Sequence, residues 1–133
     1  MVIADTSQME PGAWSVGGLE DLDTPTLLID TARIERNLDL IRQALPDGTV
    51  IRYATRWNQG PTVVQTLLRK GCWFEVTSVS EIEMLAATGV PGTALVHALP
   101  HRTVEDLTGS QDLGVRHWLV DSESEIDKLA EHA

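Results

Sequence analysis

The sequence predicts an α/β fold of four consecutive βα units, preceded by a short strand and a helix. Three observations carry this prediction. From residue 49 onward, an apolar, β-branched or aromatic run, a polar junction and a helical stretch recur in that order. The apolar runs begin at residues 49, 72, 93 and 115, so one supersecondary unit repeats every 21–23 residues. Two junctions, Ser78-Val79-Ser80-Glu81 and Ser122-Glu123-Ser124-Glu125, have the S-x-x-E form of a capping box, whose two ends each satisfy a free backbone N–H at a helix start. Strands alternating with helices at this spacing are parallel and joined by right-handed crossovers.

Residues 1–23 combine Pro11, Gly12, Gly17 and Gly18 with the acidic Glu20, Asp21 and Asp23, without a sustained apolar period, and read as a flexible acidic lead. Order is expected from Thr24-Pro25, giving one domain over residues 24–133. Thr26–Asp30 is a short apolar run, as a strand buried on both faces would be. Asp30 or Thr31 caps the next helix, where Ile34, Leu38, Ile41 and Leu45 recur at helical spacing until Pro46-Asp47-Gly48 stops it. The repeated strands are expected over Thr49–Thr55, Cys72–Thr77, Thr93–Leu99 and Val115–Val120. Pro61 suits a first helical turn and Gly71 the end of the same helix, with Val64, Leu67 and Leu68 facing inward. Ile82, Leu85 and Ala86 do so in the following helix, and Ile126, Leu129 and Ala130 in the last. A helix over Thr103–Leu113 has Gly109 working against it. Two architectures fit this order: an open doubly wound sheet, or an arc of a (β/α)8 barrel, whose full form needs about 250 residues and eight units.

Composition narrows the partners. A formal net charge of −10 repels phosphate backbones and anionic lipid heads, which argues against a nucleic-acid partner and a basic membrane anchor. At 42 % hydrophobic and 23 % charged residues, the chain has the make-up of a globular domain. The lone Cys72 forbids an internal disulfide and a cysteine-built zinc site. No apolar run reaches the roughly 20 residues that span a bilayer, and Asp5 and Glu10 stand where a signal peptide has its basic end. A soluble cytoplasmic protein is the resulting expectation.

In either architecture, ligands gather beyond the carboxyl ends of the strands. There the chain places Arg56, Trp57 and Asn58; Thr77 and Ser78; Pro100 and His101; Asp121 and Ser122. This polar rim suits a small anion, although caps and ion pairs are the commoner use of such groups. Glu75, set in an apolar strand, needs a partner if buried, and Arg56 is the natural one. His97 and His101 straddle a strand end with Pro100 between them, so no metal site is expected from them. Cys72 at a strand start reads as a small buried hydrophobe. Trp57, Trp73 and Trp118 read as packing residues, and Glu105, Asp106 and Asp112 as a solvated helix face.

Several local sequences together resemble one family. TPTLLID, IERNL, IRYATRWNQGP, FEVTSVSEIEML, ATGVPGTALVHALP and LVDSESEIDKL follow the order found in the N-terminal part of the ornithine, diaminopimelate and arginine decarboxylases, the fold-type III pyridoxal-phosphate enzymes. The resemblance runs from about Thr24 to the last residue, and implies half of a (β/α)8 TIM barrel with pyridoxal phosphate as cofactor. In that family the first barrel strand ends in Y-A-x-K-x-N, whose lysine forms a Schiff base with the cofactor. Tyr53, Ala54 and Asn58 match this motif, while Arg56 takes the lysine position. The resemblance further matches Glu75, Ser78 and Glu81 to cofactor-side positions, with Glu75 in place of the usual aspartate and Thr77 in place of a small residue.

A guanidinium stays protonated and does not attack an aldehyde as a neutral amine does. Pyridoxal phosphate is therefore expected not to bind covalently, and no catalytic residue is assigned. Two functional readings follow: a catalytically incomplete half-barrel that associates with itself or with a partner chain through its open sheet edges, or the N-terminal piece of a split or truncated decarboxylase. A third is a binding module whose Arg56 holds an acidic ligand.

Overall fold

A computed structural model describes residues 23–132. Of the expected acidic lead, residues 1–22 lie outside the described residues. The chain forms two compact units, Met1–Thr49 and Val50–Ala133.

In the first unit, Thr31–Gln43 form helix α1. Asp30 caps it, its carboxylate accepting the Arg33 N–H at 2.8 Å. Arg42 lies in the last turn, where the free carbonyls favour a cation. Of the expected apolar stripe only Leu38 is buried, whereas Ile41 and Leu45 are exposed. The strand expected at Thr26–Asp30 does not form, because an extended segment becomes a strand only against a second one and none pairs with it among the described residues. Leu27 is 61 % exposed instead of buried.

The second unit alternates as expected through its third strand. Its elements are β1 (Arg52–Ala54), α2 (Pro61–Arg69), β2 (Trp73–Val76), α3 (Val79–Ala87), β3 (Leu95–His97), α4 (Val104–Asp112) and α5 (Glu123–His132). The strands form one parallel sheet in the order β1-β2-β3. Tyr53 pairs with Phe74, Phe74 with Leu95 and Val76 with His97, so these residues share one face. Trp73, Glu75 and Val96 occupy the other. Right-handed crossovers between sequential neighbours put all connecting helices on one side of such a sheet. That side is the Phe74 face, where Phe74, Val76 and Leu95 are fully buried together with Val64, Ile82, Leu85 and Leu107 from the helices. Each such aliphatic or aromatic side chain contributes about 1.5–3 kcal/mol of burial energy.

Local signals position the helices. Pro61 opens α2, and the Ser78 hydroxyl caps α3 by accepting the Glu81 N–H at 3.2 Å. The Thr103–Leu113 segment forms α4 despite Gly109, because Thr103 and Asp106 build a reciprocal capping box. Two inward assignments are corrected. Ala86 of α3 is exposed, and in α5 Ile126 and Ala130 are exposed while Glu125 is buried.

The fourth strand is also corrected. In place of Val115–Val120 a single bridge joins Trp118 to His97. The His97 N–H donates to the His117 carbonyl and the Leu119 N–H to the His97 carbonyl, both at 3.0 Å. A strand with a partner on one side only receives half the ladder bonds of an inner strand, and no strand pairs with its outer side among the described residues. Three features hold it nonetheless. A Cβ built on Gly92 would lie 2.3 Å from the Leu113 carbonyl oxygen, so glycine permits this segment to meet the turn before the fourth strand. The Trp118 indole N–H donates to Ser110 Oγ on α4 at 3.1 Å. Arg102 donates to the carbonyls of both Leu99 and Leu119.

Candidate functional site

The carboxyl ends of the strands bring most of the expected residues together. Arg56 lies in the 3-10 turn Thr55–Trp57 directly after β1, and Glu75 is on β2 beside Ala54. The anticipated pair forms, with Arg56 Nη1 donating to Glu75 Oε1 at 3.0 Å. Their side chains are 55 % and 32 % exposed, so water screens the pair and its net worth is at most about 1 kcal/mol. The Thr55 hydroxyl, on the opposite side of the strand end, donates to the Glu75 carbonyl at 3.0 Å and ties the turn to β2.

The remaining family-matched residues build the walls of this end. The Tyr53 hydroxyl donates to the Asn58 carbonyl at 3.4 Å, while burial pushes the phenol pKa up and that hydrogen bond opposes the shift. Asn58 Oδ1 accepts the Gly60 N–H at 2.9 Å, a local turn that delivers the chain to α2. Glu81 connects two strand ends. Its Oε2 accepts from the Thr77 N–H at 2.6 Å and the Thr77 hydroxyl at 3.1 Å, and its Oε1 accepts from Gln59 Nε2 at 2.9 Å. Tyr53, Asn58, Ser78 and Glu81 therefore shape the end of the sheet, and Arg56 with Glu75 supplies its facing charges.

Other expected rim residues diverge. Trp57 is 79 % exposed and packs in no core, whereas Trp73 and Trp118 do pack. His101 is exposed while His97 is fully buried, which separates the two imidazoles. Asp121 and Ser122 are exposed, and the Ser122 hydroxyl accepts the Glu125 N–H at 3.4 Å. Asp106, expected on a solvated face, instead caps α4, and the Thr103 hydroxyl and N–H hold its carboxyl below the usual range. Cys72 is buried, as a small core residue should be.

Sequence reasoning missed a second polar cluster. Arg102 is 3 % exposed, and burial lowers its pKa while Glu125 opposes the shift. Lys128 Nζ donates to the Arg102 carbonyl at 2.6 Å and to Glu125 Oε1 at 2.5 Å. Lys128 holds the Glu125 carboxyl below its ordinary range against the opposing effect of burial. The i, i+3 spacing of Glu125 and Lys128 on one helix was the available signal for that pair; Arg102 gave none.

On the sheet face away from the helices, Arg52 lies over the Trp73 ring, 5.8 Å from its centroid. The Trp73 and His117 rings meet at 4.8 Å, reaching across β3. Contacts between side chains of alternate strands are the layering of a barrel interior.

Residues 31–133 match the family described as pyridoxal-dependent decarboxylase, pyridoxal binding domain. The chain belongs to this family. The lysine/ornithine decarboxylase of Selenomonas ruminantium is 34 % identical over 109 residues, which are 82 % of this chain and 28 % of that protein. Ornithine decarboxylase 2 of Drosophila melanogaster is 32 % identical over 114 residues, 86 % of this chain and 29 % of its own. Among solved structures, the lysine/ornithine decarboxylase of Vibrio vulnificus complexed with cadaverine superposes with a TM-score of 0.77 at 29 % identity, covering 86 % of this chain and 31 % of that one. The pyridoxal-binding-domain chain thus spans under a third of the length of these relatives. Its three-stranded parallel sheet is consistent with part of a TIM barrel. No described helix is long and apolar enough to cross a membrane.

Proposed function

We propose that this chain is a decarboxylase-like half-barrel that does not anchor pyridoxal phosphate covalently and acts as a subunit, pairing with itself or with a partner chain. The observation that carries this reading is Arg56, which occupies the Schiff-base lysine position of the motif otherwise matched by Tyr53, Ala54 and Asn58. Its guanidinium faces Glu75 at 3.0 Å. A guanidinium, unlike a primary amine, does not present a free lone pair to attack an aldehyde. The residues present therefore do not fit covalent attachment, and no catalytic step is assigned to them. What Arg56 retains is the capacity to contact a phosphate or carboxylate without a bond.

The coverage of under a third of each relative supports a second reading, in which the chain is the N-terminal piece of a split or truncated decarboxylase that acts only with its missing part. The two share one test. The protein is incubated with pyridoxal phosphate and candidate basic amino acids, carbon dioxide release is followed, and borohydride-reduced protein is mapped by peptide mass spectrometry. No turnover above free cofactor and no site-specific pyridoxyl adduct are expected. An Arg56→Lys variant should gain an adduct at residue 56 if the surrounding pocket is intact. Turnover by the unaltered chain alone would remove the first reading, and turnover only after a C-terminal decarboxylase segment is added would favour the second.

A further inference from the structure

The turn after α1 contains a reactive dipeptide. Asp47-Gly48 is the only place in the chain where an aspartate or asparagine precedes glycine; every other such residue is followed by a side chain that crowds the next amide nitrogen. Both residues are exposed, and a Cβ built on Gly48 would meet no atom within 4 Å, so the space beside that nitrogen is open.

The backbone decides how the two groups face each other. Gly48 has a φ of 81°, no described residue other than glycine has a positive φ, and the Thr49 N–H donates to the Pro46 carbonyl at 3.2 Å. These are the marks of a type II turn with Asp47 and Gly48 at its centre. The first central residue of such a turn has a ψ of about +120°, which points the next nitrogen away from its side chain. A second bond to the Pro46 carbonyl, from the Thr49 hydroxyl at 2.7 Å, holds the turn closed.

We propose that Asp47 is a site of spontaneous isomerisation to isoaspartate, and that the Thr49 hydroxyl holds down its rate. The reaction begins when the turn opens and rotation about the Asp47 ψ brings the Gly48 nitrogen onto the side-chain carboxyl carbon. A C–N bond forms, the nitrogen gives up its proton and the un-ionised carboxyl its hydroxyl, and the two leave as one water. The product is a five-membered succinimide. Water then adds to a ring carbonyl and a C–N bond breaks. Opening at the main-chain carbonyl leaves Gly48 attached through the former side chain, with no net change in mass. The main chain gains one methylene between α1 and β1, and a carboxylate sits on the Asp47 Cα. A turn with an extra main-chain atom loses the register that gives both Thr49 bonds to Pro46, so the link stays open once converted. Neither Arg56 nor pairing with another chain enters this chemistry.

Ageing the full chain at physiological temperature and pH tests the proposal, with circular dichroism confirming that each variant is folded. Isoaspartate is located by electron-transfer fragmentation of the peptide spanning the link. It is quantified by methyl transfer from S-adenosylmethionine with an isoaspartyl carboxyl methyltransferase. A synthetic peptide covering residues 43–51 gives the rate of the unrestrained sequence. Isoaspartate is expected at residue 47 before any other position, and more slowly than in the peptide. Thr49→Val should raise the rate about fivefold, the factor that one hydrogen bond of ordinary net strength represents. Asp47→Glu should abolish the signal, because its ring closure needs a less accessible six-membered ring. A chain without isoaspartate at residue 47 when the peptide has largely converted overturns the proposal, as does its first appearance elsewhere. Equal rates in the parent and Thr49→Val overturn the role given to the hydroxyl.

Discussion

His97 shows most directly how one residue couples the sheet to solution conditions. It is fully buried at the end of β3, where neither ring nitrogen makes a hydrogen bond of good geometry. Burial lowers its pKa and Arg102 acts in the same direction, while the Thr77 backbone, Asp106 and Glu81 oppose the shift. The unfolded chain takes up a proton at about pH 6.5, whereas the native imidazole resists it. Between those two values the unfolded state binds more protons, so stability is highest above about pH 6.5 and falls as pH drops below it. The depressed carboxyls of Asp106 and Glu125 act in a separate window, because their contribution is lost only as pH falls through the acidic carboxylate range. Urea unfolding at a series of pH values should therefore show a loss near pH 6 that His97→Leu abolishes. That variant also removes two unsatisfied polar atoms from the core and should be more stable than the parent at pH 5 by about 1 kcal/mol. An unchanged slope between pH 7 and pH 5 would contradict this account. The burial of His97 is settled by its neighbours on β2 and at the Trp118 bridge, so its place four residues before the exposed His101 carried no hint of it.

At the scale of elements, what the sequence makes legible is what neighbouring residues decide. Helices α2 to α5 follow Pro61, the two S-x-x-E junctions and the Thr103–Asp106 box, all signals that act within one turn. The strands are legible in place but not in extent, since a ladder depends on partners distant in sequence. Thr26–Asp30 and Val115–Val120 read alike as apolar runs, yet the first pairs with nothing described and the second forms one bridge. The two S-x-x-E repeats show the same divide. Glu81 turns back onto Thr77 and Gln59, whereas Glu125 turns toward Lys128, a choice made by what lies behind each helix. Gly92 adds a constraint that no periodicity reveals. Any Cβ there would also fall 2.4 Å from the Gly114 carbonyl carbon, and both near neighbours are backbone that cannot rotate aside. Gly92→Ala should therefore cost more than about 2 kcal/mol and loosen the bridge between His97 and Trp118 first. The checks are a thermal melt and the hydrogen exchange of the Leu119 amide, which bonds to the His97 carbonyl. A melting temperature within a degree of the parent would count against the packing described for these turns.

At the scale of the whole chain, the division at Thr49 and Val50 sets what should come apart first. The link between the units combines Pro46, Asp47 and Gly48 in a turn that the Thr49 hydroxyl closes by donating to the Pro46 carbonyl at 2.7 Å. Every residue from Gln43 to Val50 is exposed. Backbone held only by a local turn opens to a protease at low free-energy cost, whereas β2, with a ladder on both sides and core residues at 0 % exposure, opens only with the unit that contains it. Arg42 and Arg52 bracket the link, and Asp47 lies within it. Brief digestion with trypsin or an aspartate-selective protease should therefore yield an early fragment beginning between residues 43 and 53 and extending through α5. Its interior cation sites Arg69 and Lys70 should survive much longer, although Arg69 is exposed, because they sit at the end of α2 over the buried Thr66 and Leu67. N-terminal sequencing and intact mass of the first products read this out. Early cleavage at Arg69 or Lys70 would mean that the β1–α2–β2 unit is not the stable block its burial implies.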